Sequence, residues 1–163
     1  MGGPMSADSI SSSVGAVSIL LIDSNHKDRL FYTSHLQASS PHYQIFEAAT
    51  GKDGLRVCNS CVIDCVVLEI ELPDMSGFEV LRKLVSNARQ PEVAVVVLTR
   101  LNSQPLIDAA MSNGAQAAFH KLQTTGNLLD KTILSAISTL QRDRKRAMSA
   151  TFLNPVQDLH RTA

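Results

Sequence analysis

Several features that identify whole classes of protein are scarce or missing in this sequence. It has no surplus of positive charge, because 15 Lys and Arg are balanced by 15 Asp and Glu. A general nucleic-acid binder needs such a surplus to displace counterions, and so does an electrostatic membrane anchor. No apolar run reaches the roughly 18 residues of a membrane span. Three cysteines, an odd number, do not make a disulfide framework, so we expect a protein of the reducing cytoplasm. From the charge balance and the short apolar runs we expect neither nucleic-acid nor membrane partners.

What is present suffices for one folded domain. The chain has 163 residues, of which 44% are hydrophobic and 18% are charged, and this length supports one hydrophobic core. Residues 1–13 are rich in Gly and Ser and predict a flexible leader. The domain is expected over residues 14–146. The C-terminal tail, 147–163, is too short for a second domain, and its apolar residues either dock on a groove or remain disordered.

Apolar runs and helical patterns alternate along the chain. A continuous run such as Val17–Ile22 is typical of a strand buried on both faces. Strands are predicted at 17–22, 43–47, 61–68, 93–98 and 116–120. Helices are predicted at 26–37, with Leu30, Phe31 and Leu36 facing inward, at 51–58 with Thr50 as its N-cap, at 77–87, from Pro105 to Gly114, and from about Asn127. Five strands alternating with five helices predict a parallel α/β sheet with right-handed crossovers.

Polar residues stand directly after four of the predicted strands. They are Asp23 with Ser24, Glu69, Thr99 with Arg100, and Lys121. In an open parallel sheet, functional groups collect outside the carboxyl ends of the strands. The sequence therefore predicts that two carboxylates, a hydroxyl and an ammonium converge at that edge.

This pattern resembles the response-regulator receiver domain. The resemblance covers residues 17 to about 142 and includes Leu-Pro-Asp-Met-Ser-Gly at 72–77, Leu-Thr at 98–99, and Gly-Ala at 114–115. It implies a (βα)5 flavodoxin-like, doubly wound parallel sheet of five strands in the order 2-1-3-4-5. In receivers, two acids after the first strand hold Mg²⁺ and an Asp after the third accepts a phosphoryl group. A Thr and a Lys bind the phosphoryl oxygens.

Three positions of the implied pocket depart from the receiver pattern. Glu69 stands at the phosphoacceptor position, Ser24 replaces the second metal-binding acid, and Arg100 replaces a small residue. The remaining carboxylates, Asp23 and Glu69, have Lys121 as a cation, so the pocket can be satisfied without metal. Mg²⁺ requires near-octahedral oxygen ligation, and we expect its binding to be weak or absent, with no other cofactor.

Glu69 and Arg100 each have two interpretations. The Glu69 carboxylate either acts as a permanent partial mimic of a phosphoryl group or simply neutralises Lys121. In both cases we expect Glu69 and Lys121 to form a charge pair. Arg100 either pairs with Glu69 or Asp23 and covers the pocket, or lies solvated at its rim.

The switch region of the family also differs. Ala118 corresponds to the aromatic residue that rotates inward on activation, while Phe119 is one position away and faces the opposite side of the sheet. Leu122 replaces the proline that follows the conserved Lys, so the Lys121–Leu122 bond is expected to be trans.

We therefore interpret the chain as a stand-alone, degenerate receiver domain without enzymatic activity. It would act as a phosphorylation-independent protein-interaction module in a two-component-type pathway. Its partners would be a histidine kinase, a downstream effector, or a second copy bound through the fourth helix, fifth strand and fifth helix. The first alternative is a functional phosphoacceptor with residual Mg²⁺ binding. The second is a small redox protein using Cys58 and Cys61, although this pair lies at a helix end rather than at a reactive helix N-terminus.

Overall fold

Strands and helices alternate through the residues that the computed structural model describes, 15–86 and 92–152. The strands are β1 (Val17–Ile22), β2 (Tyr43–Ala48), β3 (Cys65–Leu68), β4 (Ala94–Thr99) and β5 (Ala117–His120). The helices are α1 (His26–Ser39), α2 (Gly51–Ser60), α3 (Gly77–Leu84), α4 (Gln104–Ser112) and α5 (Gly126–Phe152), and a 3₁₀ turn at Lys121–Gln123 follows β5. The predicted alternation of elements is confirmed.

All five strands are parallel and lie in the order β2-β1-β3-β4-β5, as predicted. The register aligns Ile22 of β1 with Leu68 of β3, so the residues that follow them, Asp23 and Glu69, lie side by side. Thr99 of β4 is aligned with His120 of β5, which places Lys121 at the same edge. The sheet register alone therefore assembles the polar ends of the strands.

Helices cover both faces of the sheet and create two apolar layers. Successive strand residues point to opposite faces, so Val95 and Val97 of β4 pack with Val80 and Leu81 of α3 in one layer. The alternating residues Val96 and Leu98 pack with α1 and α5 in the other layer. Because β4 is covered on both faces, all six of its residues are buried, and a continuous apolar strand is what the fold needs there.

Two helix starts near the strand ends have clear local causes. The Asn25 side chain accepts hydrogen bonds from the backbone N–H groups of Lys27 and Asp28 and thereby caps α1. The predicted N-cap of α2 is confirmed, because the Thr50 hydroxyl accepts from the Asp53 N–H at 3.1 Å. Both caps fix the first helical turn beside the carboxyl edge of the sheet.

Two predictions about buried residues are wrong. In α1, Leu30 and Phe31 are exposed by 56% and 46%, and the buried residues are Tyr32 and Leu36. The apolar pattern of α1 is weak, so its rotation is set by packing against α5 rather than by hydrophobic periodicity. The third strand starts four residues later than predicted, and Val62, expected inside it, is 85% exposed.

The domain boundaries predicted from the sequence, 14 and 146, remain predictions, although the last helix crosses the second of them. Helix α5 runs through the boundary predicted at Arg146 and ends at Phe152. Helix α3 ends at Leu84, and Asn87, its predicted end, lies outside the described residues. The predicted leader, 1–13, and most of the predicted tail, 153–163, also lie outside them.

Candidate functional site

The first acid of the site is Asp23, which follows β1 and is held by the start of α1. Its Oδ1 accepts a hydrogen bond from the Asn25 N–H at 2.9 Å. Its carbonyl accepts from the Arg29 guanidinium, which also forms an ion pair with Glu47 of β2. The carboxylate is thus fixed at one oxygen, and the other oxygen is directed toward the centre of the site.

The second acid, Glu69, follows β3 and is almost completely buried, with 4% of the residue exposed. Its Oε1 turns back to the chain and accepts from the N–H groups of Ile70, at 2.7 Å, and Glu71, at 3.3 Å. Gly77 leaves room for this turn, because a Cβ there would stand 2.4 Å from the Glu69 carbonyl oxygen. Only Oε2 of Glu69 points into the site.

Lys121 brings the acids together. Its side chain is 5% exposed, and its Nζ lies 2.5 Å from Asp23 Oδ2, 2.7 Å from Glu69 Oε2 and 2.9 Å from Asp28 Oδ2. The predicted pair of Glu69 and Lys121 is therefore in contact. An ammonium has three N–H donors and no acceptor, so each of its donors has one carboxylate here.

Asp28, the third acid, was not predicted from the sequence. It lies in the first turn of α1 and accepts from Lys121 through Oδ2 and from Arg100 through both oxygens. A carboxylate in the first turn of a helix that begins beside the site was the available signal. We name Asp23, Asp28 and Glu69 together the acid cluster.

Arg100 follows neither of its two predicted interpretations. Its side chain is half exposed, but it pairs with Asp28 at 2.6 Å rather than with Asp23 or Glu69. Its carbonyl oxygen lies 2.8 Å from His120 Nε2. The difference arises because Asp28 reaches the rim of the site from α1, closer to the loop after β4 than the deeper acids. Arg100 therefore joins this loop to α1 and to β5.

The two hydroxyl residues of the predicted site have different environments. Thr99 is fully buried at the end of β4, and its Oγ1 accepts from the Leu101 N–H at 3.2 Å. Ser24 lies on the surface after β1. The structure thus brings Asp23 and Glu69 into contact with Lys121, leaves Thr99 buried at the end of β4, and leaves Ser24 exposed.

The predicted switch region has the predicted geometry. Ala118 packs on the layer formed with α3, whereas Phe119 packs on the layer formed with α1 and α5, so the two side chains face opposite sides of the sheet. All peptide bonds of the described residues are trans, including the Lys121–Leu122 bond. The only aromatic side chain in β5 therefore faces away from the Ala118 position.

Burial and charge act in opposite directions on the ionisable groups of the site. Burial by itself would lower the pKa of Lys121, but its hydrogen bonds to Asp23, Glu69 and Asp28 outweigh burial, and the pKa is raised. Burial would raise the pKa of Asp28, but the donors Lys121 and Arg100 outweigh it, and the pKa is lowered. Both shifts favour the charged forms.

Two of the three cysteines, Cys58 and Cys65, have a raised thiol pKa. Burial, with a smaller effect of Cys61, raises the pKa of Cys58 to about 11. Cys65 is fully buried, and burial raises its pKa as well. Since the thiolate is the reactive form, these shifts do not favour the redox alternative. Among residues 15–86 and 92–152, no group of three His, Cys, Asp or Glu side chains is arranged to hold a metal ion.

Comparison with known proteins identifies what the chain resembles. The family model of the response regulator receiver domain matches residues 19–133. The transcriptional regulatory protein AfsQ1 of Streptomyces coelicolor is 28% identical over 141 residues, covering 86% of this chain and 59% of that protein. The two-component response regulator ARR6 of Arabidopsis thaliana is 29% identical over 107 residues, covering 60% of this chain and 58% of that protein. The chain thus spans just under three fifths of the length of both relatives.

A solved receiver structure has the same fold as this chain. The CheY-like receiver domain protein of Methanospirillum hungatei superimposes with a TM-score of 0.69 at 22% identity, covering 79% of this chain and 99% of that one. At this identity the likeness concerns the fold alone. Within the described part of the chain, no helix combines the length and the apolar composition that crossing a membrane requires.

Proposed function

Because the chain belongs to the response regulator receiver family, we propose that it is a degenerate receiver domain that works without phosphorylation. It would act in a two-component-type pathway as a protein-interaction module and catalyse no reaction itself. Glu69 takes the position of the phosphoacceptor Asp in this proposal, and Ser24 that of the second metal-binding acid. A cytoplasmic location follows as part of the proposal.

The observation that carries the proposal is the engagement of Glu69. Both of its carboxylate oxygens accept donors, Oε1 from the backbone at 2.7 Å and Oε2 from Lys121 at 2.7 Å, and the side chain is buried. A phosphoacceptor must present a free oxygen to the incoming phosphorus atom, in line with the leaving group. Lys121, which would bind a phosphoryl oxygen, has each of its three donors committed to a carboxylate.

The same contacts favour one of the two interpretations of Glu69. A mimic of a phosphoryl group would extend toward both Lys121 and Thr99. Glu69 instead turns its second oxygen back to its own backbone, while the Thr99 hydroxyl accepts from Leu101. We therefore propose that Glu69 neutralises Lys121 and that the site is held in one state, with little or no binding of Mg²⁺.

The proposed partners are a histidine kinase, a downstream effector, or a second copy of the chain. A groove of about 520 Å³ runs between α4, β5 and α5, and it is lined by Met111, Phe119 and Leu140 among others. This surface is where we propose that association takes place. Sedimentation of the wild type and of Met111→Glu would test self-association, because Met111 is exposed and its replacement by a charge should weaken binding without unfolding the domain.

The proposal is tested by acetyl phosphate with Mg²⁺, followed by intact-mass measurement, and by titration with beryllofluoride. We expect no mass increase of one phosphoryl group and no saturable change in the amide NMR spectrum. Glu69→Gln should give the same negative result. A phosphoryl adduct on the wild type that disappears in Glu69→Gln would overturn the proposal and favour the phosphoacceptor alternative.

A further inference from the structure

We infer that the ammonium of Lys121 is the resident cation of the acid cluster and takes the place of a divalent metal ion. The inference rests on the proposed function, because it assumes that the site is filled rather than waiting for a phosphoryl group. Beyond the proposed function, the inference identifies the group that fills the site as the Lys121 ammonium. It also adds that the chain carries a latent cation site, which becomes accessible when this one side chain is removed.

The first support is the position of the ammonium. Nζ of Lys121 lies between 2.5 and 2.9 Å from one oxygen of each of the three acids, and its side chain is 5% exposed. Divalent cations bind carboxylates by the same convergence of oxygens at about 2.0 to 2.6 Å. The amine is therefore in contact with all three carboxylates at once.

The second support is that the acid cluster has no free oxygen. Asp23 Oδ1 is bound by the Asn25 N–H, Glu69 Oε1 by the Ile70 and Glu71 N–H groups, and Asp28 Oδ1 by Arg100. The other oxygen of each acid is bound by Lys121. A metal ion would have to share every carboxylate oxygen that it used with a donor that is already bound there.

The third support is the charge balance. Three carboxylates face two resident cations, Lys121 and Arg100, which leaves one negative charge. Adding a divalent ion while both cations stay would make the site positive and place like charges within a few ångströms of each other. The residues present therefore do not fit Mg²⁺ as they stand. Removing Lys121 would leave three acids and Arg100, a balance of two negative charges that suits a divalent cation.

The test compares the wild type with Lys121→Met, using Mg²⁺ and Mn²⁺ alone as probes. The matched control is Lys131→Met, which removes the same charge from an exposed position on α5. Thermal unfolding and amide NMR spectra are recorded across a millimolar titration of each ion at constant ionic strength. We expect a saturable rise in melting temperature for Lys121→Met, with amide shifts at Asp23, Asp28 and Glu69, and no saturable change in the wild type or in Lys131→Met.

Two results would overturn the inference. One is saturable binding of either ion by the wild type with shifts at the acid cluster, and the other is a Lys121→Met protein that neither ion stabilises. If Lys121→Met does not fold alone, folding on addition of Mn²⁺ supports the inference. If Lys121→Met folds neither alone nor with the ions, Lys121→Gln is used as the second variant. Failure of both variants to respond to the ions would contradict the inference. These outcomes are read from ion binding and not from phosphoryl labelling, so a failure of this inference can be distinguished from a failure of the proposed function.

Discussion

At the scale of single residues, the site depends on Lys121 more than on any of its acids. Removing one partner of a buried ion pair strands the other charge in a poorly solvated place. Lys121 has three such partners, all within 2.9 Å, whereas each acid keeps a backbone donor or Arg100 when another acid is changed. Loss of the ammonium should therefore be more harmful than loss of any one carboxylate.

This asymmetry predicts the result of a double-mutant cycle. Lys121→Met should lower the free energy of unfolding by roughly 3 kcal/mol, because Asp23 and Glu69 then face each other unshielded, while Asp28 keeps its ion pair with Arg100. Adding Glu69→Gln should recover part of the loss, since it removes one of the stranded charges. Urea unfolding of the wild type, both single variants and the double variant measures the coupling. A double variant no more stable than Lys121→Met would mean that Glu69 and Lys121 are not coupled.

A second prediction concerns repair of the site. Glu69→Asp alone should not give labelling by acetyl phosphate, because Ser24 still stands at the position of a metal-binding acid and Arg100 still pairs with Asp28 at the rim of the site. Adding Ser24→Asp and Arg100→Ala should restore part of the labelling by rebuilding the metal site and opening access. Intact-mass measurement after incubation with acetyl phosphate and Mg²⁺ checks both proteins. Strong labelling of the single variant would show that the other two positions are not defective.

The sequence allowed prediction of those site residues that stand directly after strands. Asp23, Glu69 and Lys121 come together because the register of parallel strands is regular, so their proximity follows from the fold class. Asp28 was missed because it lies on a helix. The reach of a helical side chain depends on how the helix is rotated and tilted against the sheet, which no local pattern determines. The partner of Arg100 was missed for the same reason.

At the scale of elements, the connection between β3 and α3 shows how a backbone contact supports the site. Gly77 begins α3, and its N–H donates to the Ile70 carbonyl at 2.7 Å. A Cβ at this position would stand 2.4 Å from the Glu69 carbonyl oxygen and 2.7 Å from the Ile70 Cα. Backbone atoms cannot move aside as the end of a flexible side chain can. The requirement for glycine here is therefore one of space.

We predict that Gly77→Ala destabilises the domain by about 1–3 kcal/mol, the usual cost of forced overpacking. The displaced Glu69 backbone should also change the amide NMR signals of Glu69 and Ile70. Gly15→Ala is the matched control, because a Cβ there meets no atom within 4 Å, and it should leave the free energy of unfolding nearly unchanged. Equal stability of the two variants in urea would contradict the steric argument.

The elements themselves were predicted unevenly. Strands β1 and β4 were recognisable because a strand that helices cover on both faces needs a largely apolar run, which only Ser18 interrupts in β1. The start of β3 was placed too early because Val62 and Ile63 extend the apolar pattern into the preceding loop. The Asp64 carboxylate breaks that pattern, and it accepts a hydrogen bond from the Ser18 N–H at the start of β1. The residue directly before β3 is therefore held by a polar contact with β1.

At the scale of the whole molecule, groups with shifted pKa values set the pH range of stability. The pKa of Asp28 is lowered in the folded state, so its contribution is present above its ordinary pKa of 3.8 and is lost as the pH falls through the folded value. The pKa of Lys121 is raised, so its contribution is present below 10.5 and is lost above it. The buried Cys65 thiol, with its raised pKa, contributes below 9.0, and that contribution falls as the unfolded thiol ionises.

These signs predict a plateau of stability between about pH 5 and pH 9, with a decline on each side that has a different cause. The acid limb should be shallower in Asp28→Asn, because the variant has no carboxyl group to protonate at that position. The alkaline limb should be shallower in Cys65→Ala, because only Cys58 is then left of the two thiols whose pKa is raised in the folded state. Both predictions are checked by the urea midpoint of unfolding, measured from pH 3 to pH 11. Each variant also loses packing or hydrogen bonds at every pH, so the comparison uses the shape of the curve of midpoint against pH and not its height. A Cys65→Ala curve that still falls from pH 9 in parallel with the wild type would assign the alkaline limb to groups other than the buried thiol.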